Sequence, residues 1–233
     1  MGGTLIVAIA AAAFVGTHFL LSHPLRRRLV GAMGEGPFLG LYSLVALLTL
    51  GWLAFAYWST PATPFLWHVG QGLWIAATIV MLFASILFVG SLVGNPALPS
   101  PGTSRAVPTE PRGVFAITRH PMMWGFTLWG LVHIAVLPTV ANIILAGAIV
   151  VLALAGSVLQ DRKKEDLLPL AWPQWKARTG FVPFAAPLRG RVRLARTWPG
   201  LAALIGGILL WLVASWAHSP LGGWGAGIWR WIG

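Results

Sequence analysis

The sequence predicts an all-α fold: a polytopic membrane helical bundle of about six transmembrane helices, with N-terminus and C-terminus outside. Three observations lead there. Of 233 residues, 57% are hydrophobic and only 9% charged, whereas soluble domains average about 25% charged residues. Too few charges remain to cover a water-facing surface. The apolar residues come in long blocks, and crossing a bilayer takes about 20 residues at 1.5 Å each. The charges fall almost entirely in alternate loops.

The six blocks run near Thr4–Leu21, Phe38–Trp58, Val69–Val93, Pro121–Leu137, Val140–Leu159 and Leu201–Ala217. None alternates with the period of two that a barrel strand needs, so all six read as helices. The first follows Met1–Thr4, which has no positive charge, and precedes Arg26, Arg27 and Arg28. A signal peptide has its basic residues on the other side, so this block is expected to be a retained helix. The fourth is the shortest and contains His133.

Between blocks one and two lie Arg26, Arg27 and Arg28. Between three and four lie Arg105, Arg112 and Arg119. Between five and six lie Arg162, Lys163, Lys164, Lys176, Arg178, Arg189, Arg191, Arg193 and Arg196, so Arg230 alone of the 16 Lys/Arg is elsewhere. The same three loops hold all five acids. Alternate loops share a side, and the positive-inside rule makes that side cytoplasmic. The expected location is therefore a bacterial inner (cytoplasmic) membrane, and the lipid bilayer is the first partner. A net charge of +11 is accounted for by anionic headgroups, with no nucleic acid required.

The segment from Gly94 to His120 is rich in Pro and Gly (Pro96, Pro99, Pro101-Gly102, Pro108, Pro111) and reads as a loop. A mixed-charge helix is expected from Gln160 to about Leu168. The tail after Leu221 carries Trp224, Trp229 and Trp231 and reads as an interfacial anchor. Residues 1–199 form one expected membrane domain. Residues 200–233 add the sixth span and tail, packed on the same bundle.

The chain has no cysteine, which excludes disulfides, thiolate metal sites and cysteine nucleophiles. Polar groups inside spans are costly and raise a functional question. His18 lies in the first block and His133 in the fourth, and two imidazoles on facing helices can ligate a haem iron. Gly16 and Gly130 lie beside them and could admit a flat macrocycle. Each histidine could equally hydrogen-bond a backbone carbonyl. Counted from Arg26 and Arg119, His18 sits roughly 12 Å deep and His133 roughly 21 Å, so helix tilt or a recessed start to the fourth span at His120-Pro121 has to close the gap, or His133 pairs with another group, such as His68. Arg119-His120-Pro121 could clamp an anion or simply begin a helix. Asp161, at the head of Asp161–Asp166, could organise the cations or contact a polar cofactor.

Several segments resemble the NnrU family: His18-Phe19-Leu20-Leu21-Ser22, Arg119-His120-Pro121, Trp129-Gly130-Leu131-Val132-His133, and Asp161-Arg162 ahead of Arg178-Thr179 and Val182-Pro183-Phe184. The resemblance implies an inner-membrane protein linked to nitrite and nitric oxide metabolism. The family includes zeta-carotene isomerase, so it also implies haem b between two histidines, which fall on His18 and His133. The reaction implied is cis–trans isomerisation of a hydrophobic ligand when the iron is reduced. Arg119, His120 and Asp161 would contact the cofactor. A cysteine proposed as an alternative ligand falls on Gly130. Arg-His-Pro followed by an acidic helix also looks like membrane methyltransferases of the isoprenylcysteine type, which implies S-adenosylmethionine near Arg119, His120 and Glu165. A third possibility is a non-enzymatic accessory factor for nitric oxide reductase.

Overall fold

The computed structural model describes residues 2–98 and 107–232. Arg105, Pro99 and Pro101-Gly102 of the predicted loop lie outside them. Among the described residues the chain is helical, with no strand. In order the helices are α1 (Gly2–Ser22), α2 (Arg26–Met33), α3 (Glu35–Trp58), α4 (Gln71–Gly90), α5 (Val114–Ile117), α6 (Pro121–Val136), α7 (Val140–Leu167), α8 (Ala171–Arg178), α9 (Ala185–Leu188), α10 (Leu201–Gly222) and α11 (Trp229–Ile232), with a 3-10 turn at Leu194–Thr197.

Among the described residues five helices are long and apolar enough to span a bilayer: α1, α3, α4, α7 and α10. The sixth predicted span, α6, has 16 residues. That is roughly 24 Å at 1.5 Å per residue, short of the ~30 Å hydrocarbon core. Its His120-Pro121 start is buried inside a structured cap at the basic end.

The long helices pack in the order α3, α1, α7, α6, α4, α10. Large apolar side chains such as Leu47, Leu48 and Phe55 of α3, Ile79 of α4 and Val213 of α10 point outward. Small residues fill the seams: Ala10, Ala11, Ala56, Ala141, Ala146 and Ala153 are buried. Both features suit a bundle in lipid, where association rests on close packing rather than on hiding apolar surface. At Gly130 a Cβ would lie 2.5 Å from Val150 Cγ2 and 2.9 Å from the Ala146 carbonyl. That space belongs to helix contact between α6 and α7, not to a macrocycle. Gly16, by contrast, has nothing within 4 Å of its Cβ position.

The cationic loops are more ordered than the sequence suggested. Arg26–Met33 is helical, and the expected helix after Gln160 is the unbroken continuation of α7. The Phe184 and Gly113 amides donate to the carbonyls of Ile117 and Arg196 (both 2.8 Å), so α5, α9 and the 3-10 turn form one cap. At the other end the Trp-rich tail folds onto the bundle. Trp224 stacks on Phe65 at 6.3 Å, Trp229 Nε1 donates to the Leu212 carbonyl, and Arg230 lies 4.3 Å above the Trp74 ring.

Candidate functional site

Two arrangements at the basic end share α6 and α7. The first is a closed knot. Asp161, on the polar extension of α7, accepts from Arg119 Nε (2.9 Å) and Nη2 (2.7 Å), from His120 Nε2 (2.9 Å) and from Trp172 Nε1 (3.2 Å). All four members are buried: Arg119 is 8% exposed, His120 2%, Asp161 5% and Trp172 0%. Backbone bonds hold them in place. The Arg119 amide donates to the Gly180 carbonyl, and Thr118 Oγ1 and Trp124 Nε1 donate to the Phe181 carbonyl.

Burial holds His120 below the ordinary imidazole value, and the charges of Arg119 and Lys176 act the same way. The bond to and charge of Asp161 oppose them. His120 is therefore a neutral ring that donates through Nε2, and its Nδ1 has no partner. The structure thus brings together the predicted residues Arg119, His120 and Asp161. It also turns their polar atoms toward one another, with His120 Nδ1 the exception. Glu165 pairs with Lys176 at 2.5 Å. None of Arg119, His120, Asp161 and Glu165 lines the large cavity described next.

The second arrangement is an open cavity of about 930 Å³ between α1, α3, α6 and α7, with α2 at its mouth and residues 95–98 above it. Its walls include Phe14, Phe38, Leu50, Phe126, Ile149 and Leu152. His18 lines it from α1. The Phe14 carbonyl can only accept, so its 2.7 Å contact with His18 Nδ1 places the ring proton there. His18 Nε2 is left with its lone pair. Edge contacts from Phe14 (4.5 Å) and Tyr42 (5.5 Å) fix the ring.

A second imidazole is set by a longer chain of bonds. Ser22 Oγ donates its only proton to the His18 carbonyl, so His23 Nδ1 must donate to Ser22 Oγ at 2.7 Å. His23 Nε2 is then an acceptor too, buried and without a partner. Met123 of α6 lines the same cavity.

The mouth carries charge. Arg26 pairs with Glu35 at 2.9 Å, and Lys163 and Lys164 also line the cavity. Lys164 Nζ and Gln160 Nε2 donate to the carbonyls of Pro96 (2.9 Å) and Ala97 (2.7 Å), tying the roof to α7. Arg26, Glu35, Lys163, Tyr42 and Met123 were not singled out as site residues from the sequence. Only the charge clustering of Arg26 and Lys163 hinted at them.

The structure does not bring His18 and His133 together. His18 is four residues from the basic end of α1. His133 is twelve residues up α6 from Pro121, so their depths differ by about 12 Å. Helix α7 packs between α1 and α6, and His133 does not line the cavity. The ring beside His133 is His218 of α10, with centroids 6.0 Å apart, rather than His68.

Haem b can be tested against these residues. The cavity offers an imidazole with a preset Nε2 lone pair, a thioether from another helix, apolar walls and a cationic mouth suited to propionates. The donor set fits through His18, but not through His18 with His133. No curated protein and no solved structure matches this chain. A family profile described as NnrU protein matches residues 5–225, nearly its whole length.

Proposed function

The chain belongs to the NnrU family, and from that premise we propose that it binds haem b in the cavity between α1, α3, α6 and α7, with His18 as the residue that would hold its iron. The observation that carries this reading is His18 itself. Its Nδ1–H is committed to the Phe14 carbonyl, so its Nε2 faces an apolar cavity as a ready ligand. A second bond that fixes the tautomer and aims the ring is what metal-bound histidines have. Met123, which lines the same cavity, would supply a thioether as a second donor, a ligand set known for haem iron. Arg26 and Lys163 would hold the haem carboxylates at the mouth. Phe14, Phe38 and Phe126 keep water from the interior.

Bound haem would supply a redox-active iron able, when reduced, to polarise a double bond as a Lewis acid. The apolar lining favours an uncharged ligand such as a polyene over nitrite. The proposed activity is therefore cis–trans isomerisation of a hydrophobic ligand, as the family resemblance implies.

Absorbance of the detergent-purified protein, expressed with haem supplied, tests the cofactor. A Soret band is expected in the wild type and in His133→Ala. It should be lost in His18→Ala and shifted in Met123→Leu. Absence of the band in the wild type, or its persistence in His18→Ala, removes the assignment. Turnover is tested by adding a cis-polyene to the reduced, haem-loaded protein. If its spectrum does not change, the role in nitric oxide metabolism takes precedence. A strain lacking the gene should then lose nitric oxide reductase activity.

A further inference from the structure

We propose that the end of the bundle opposite the basic loops carries a separate metal site, in which His133 of α6 and His218 of α10 bind a late first-row transition-metal ion, copper by preference.

The two rings are prepared alike. His133 Nδ1 donates to the Trp129 carbonyl and His218 Nδ1 to the Ala214 carbonyl, each at 2.7 Å. A carbonyl can only accept, so both Nδ1 atoms carry protons and both Nε2 atoms keep lone pairs. Among the described residues neither Nε2 has a hydrogen-bond partner. The ring centroids are 6.0 Å apart, with the planes at 34°. With metal–nitrogen bonds of about 2.0–2.1 Å, two imidazoles sharing one ion have centroids roughly 5 to 6 Å apart.

The surroundings hold this geometry. Trp129 stacks on His133 at 4.1 Å. Buried Asn142 donates through Nδ2 to the carbonyls of His133 and Leu137, both at 2.8 Å, which fixes the end of α6 to α7. His218 is exposed, so an ion can reach the pair from solvent.

The chemistry narrows the ion. All five acids of the chain lie in the basic-end loops, which leaves neutral nitrogen as the protein donor here. Hard cations such as Mg²⁺ and Ca²⁺ need oxygen ligands, whereas imidazole suits copper, zinc and nickel, and affinity peaks at copper in that series. No cluster of three or more His, Cys, Asp or Glu suited to a metal occurs among the described residues. The pair therefore supplies two ligands, and water completes the coordination. His18 lies at the other end, so this site stands or falls independently of the haem reading.

The test uses the full-length protein, without a polyhistidine tag, in detergent and stripped with a chelator. Copper(II) is added under equilibrium dialysis and read by electron paramagnetic resonance. One copper per chain with coupling to imidazole nitrogen is expected. His218→Ala and His133→Ala should each weaken binding at least tenfold, while His18→Ala leaves it unchanged. His218 is exposed, so its variant keeps the fold, checked by circular dichroism, and decides the matter alone if His133→Ala does not. Copper binding of wild-type strength in His218→Ala, a signal without nitrogen coupling, or no bound copper overturns the proposal.

Discussion

The knot around Asp161 and the cavity around His18 are neighbours, yet they treat polar atoms in opposite ways. In the knot, Arg119, His120 and Trp172 all converge on one carboxylate and are sealed from solvent. At the cavity, His18 and His23 each bind through Nδ1 only; His18 Nε2 is left toward the open space, whereas His23 Nε2 is buried. A network whose donors converge on one buried carboxylate specifies structure and is poor at chemistry; His120 Nδ1, which it leaves without a partner, is sealed inside it. An imidazole fixed on one side and free on the other is placed to bind. The most conspicuous charged motif of the sequence is therefore a fastener, and the less conspicuous His18 is the candidate ligand.

Removing the carboxylate should separate the two most sharply. In Asp161→Ala the buried Arg119 guanidinium loses the one carboxylate it pairs with among the described residues. Breaking a buried pair from one side costs about 3–5 kcal/mol. Thermal unfolding in detergent should show this as the largest destabilisation among the variants considered. A loss comparable to that of an exposed pair such as Arg112–Glu110 would mean that the knot does not fasten α6 to α7.

Next comes the seam on which both regions rest. Gly130→Ala places a methyl against Val150 and the Ala146 carbonyl. Overpacking of this kind costs about 1–3 kcal/mol. Unfolding measurements on Gly130→Ala, with Gly16→Ala as the uncrowded comparison, check it. Equal stability of the two variants would show that α6 and α7 can move apart without cost.

The sequence made the spans legible because block length and charge placement are local properties, and all six blocks became helices. Their neighbour relations were not legible. That α7 lies between α1 and α6 depends on seams such as Gly130 against Ala146, which leave no periodic mark. For the same reason His18 and His133 look like a pair on paper, although their depths already disagreed. Arg119-His120 and Asp161 stood out by their charge, but charge alone does not say whether a group faces a cavity or another side chain. Met123 and Tyr42 carried no signal, since each is ordinary in an apolar helix.

Acid should loosen the knot without touching the cavity walls. His120 is held below its ordinary value of 6.5 by burial. The folded state then binds fewer protons than the unfolded state. Its contribution is fully present above pH 6.5 and is lost as pH falls from 6.5 through the folded value. The slope is at most about 1.4 kcal/mol per pH unit. Unfolding temperatures above and below pH 6.5 should fall more for the wild type than for His120→Gln, whose amide can still donate to Asp161 but does not titrate. Parallel curves would show that His120 does not titrate with folding.

The smallest effect on stability is expected at His18, and its smallness completes the contrast. The ring is half-buried, and its one hydrogen bond is to the carbonyl of its own helix four residues back. That carbonyl already serves the helix, so His18→Ala strands no charge and no buried donor. Without haem the variant should unfold within about 0.5 kcal/mol of the wild type, as substitutions away from packed or paired groups do. With haem supplied, only the wild type should gain stability, because a ligand that binds the folded state alone stabilises it. Unfolding of both proteins with and without haem gives the four values needed. An equal gain in both would move the ligand away from His18, and a large loss without haem would make His18 a second fastener.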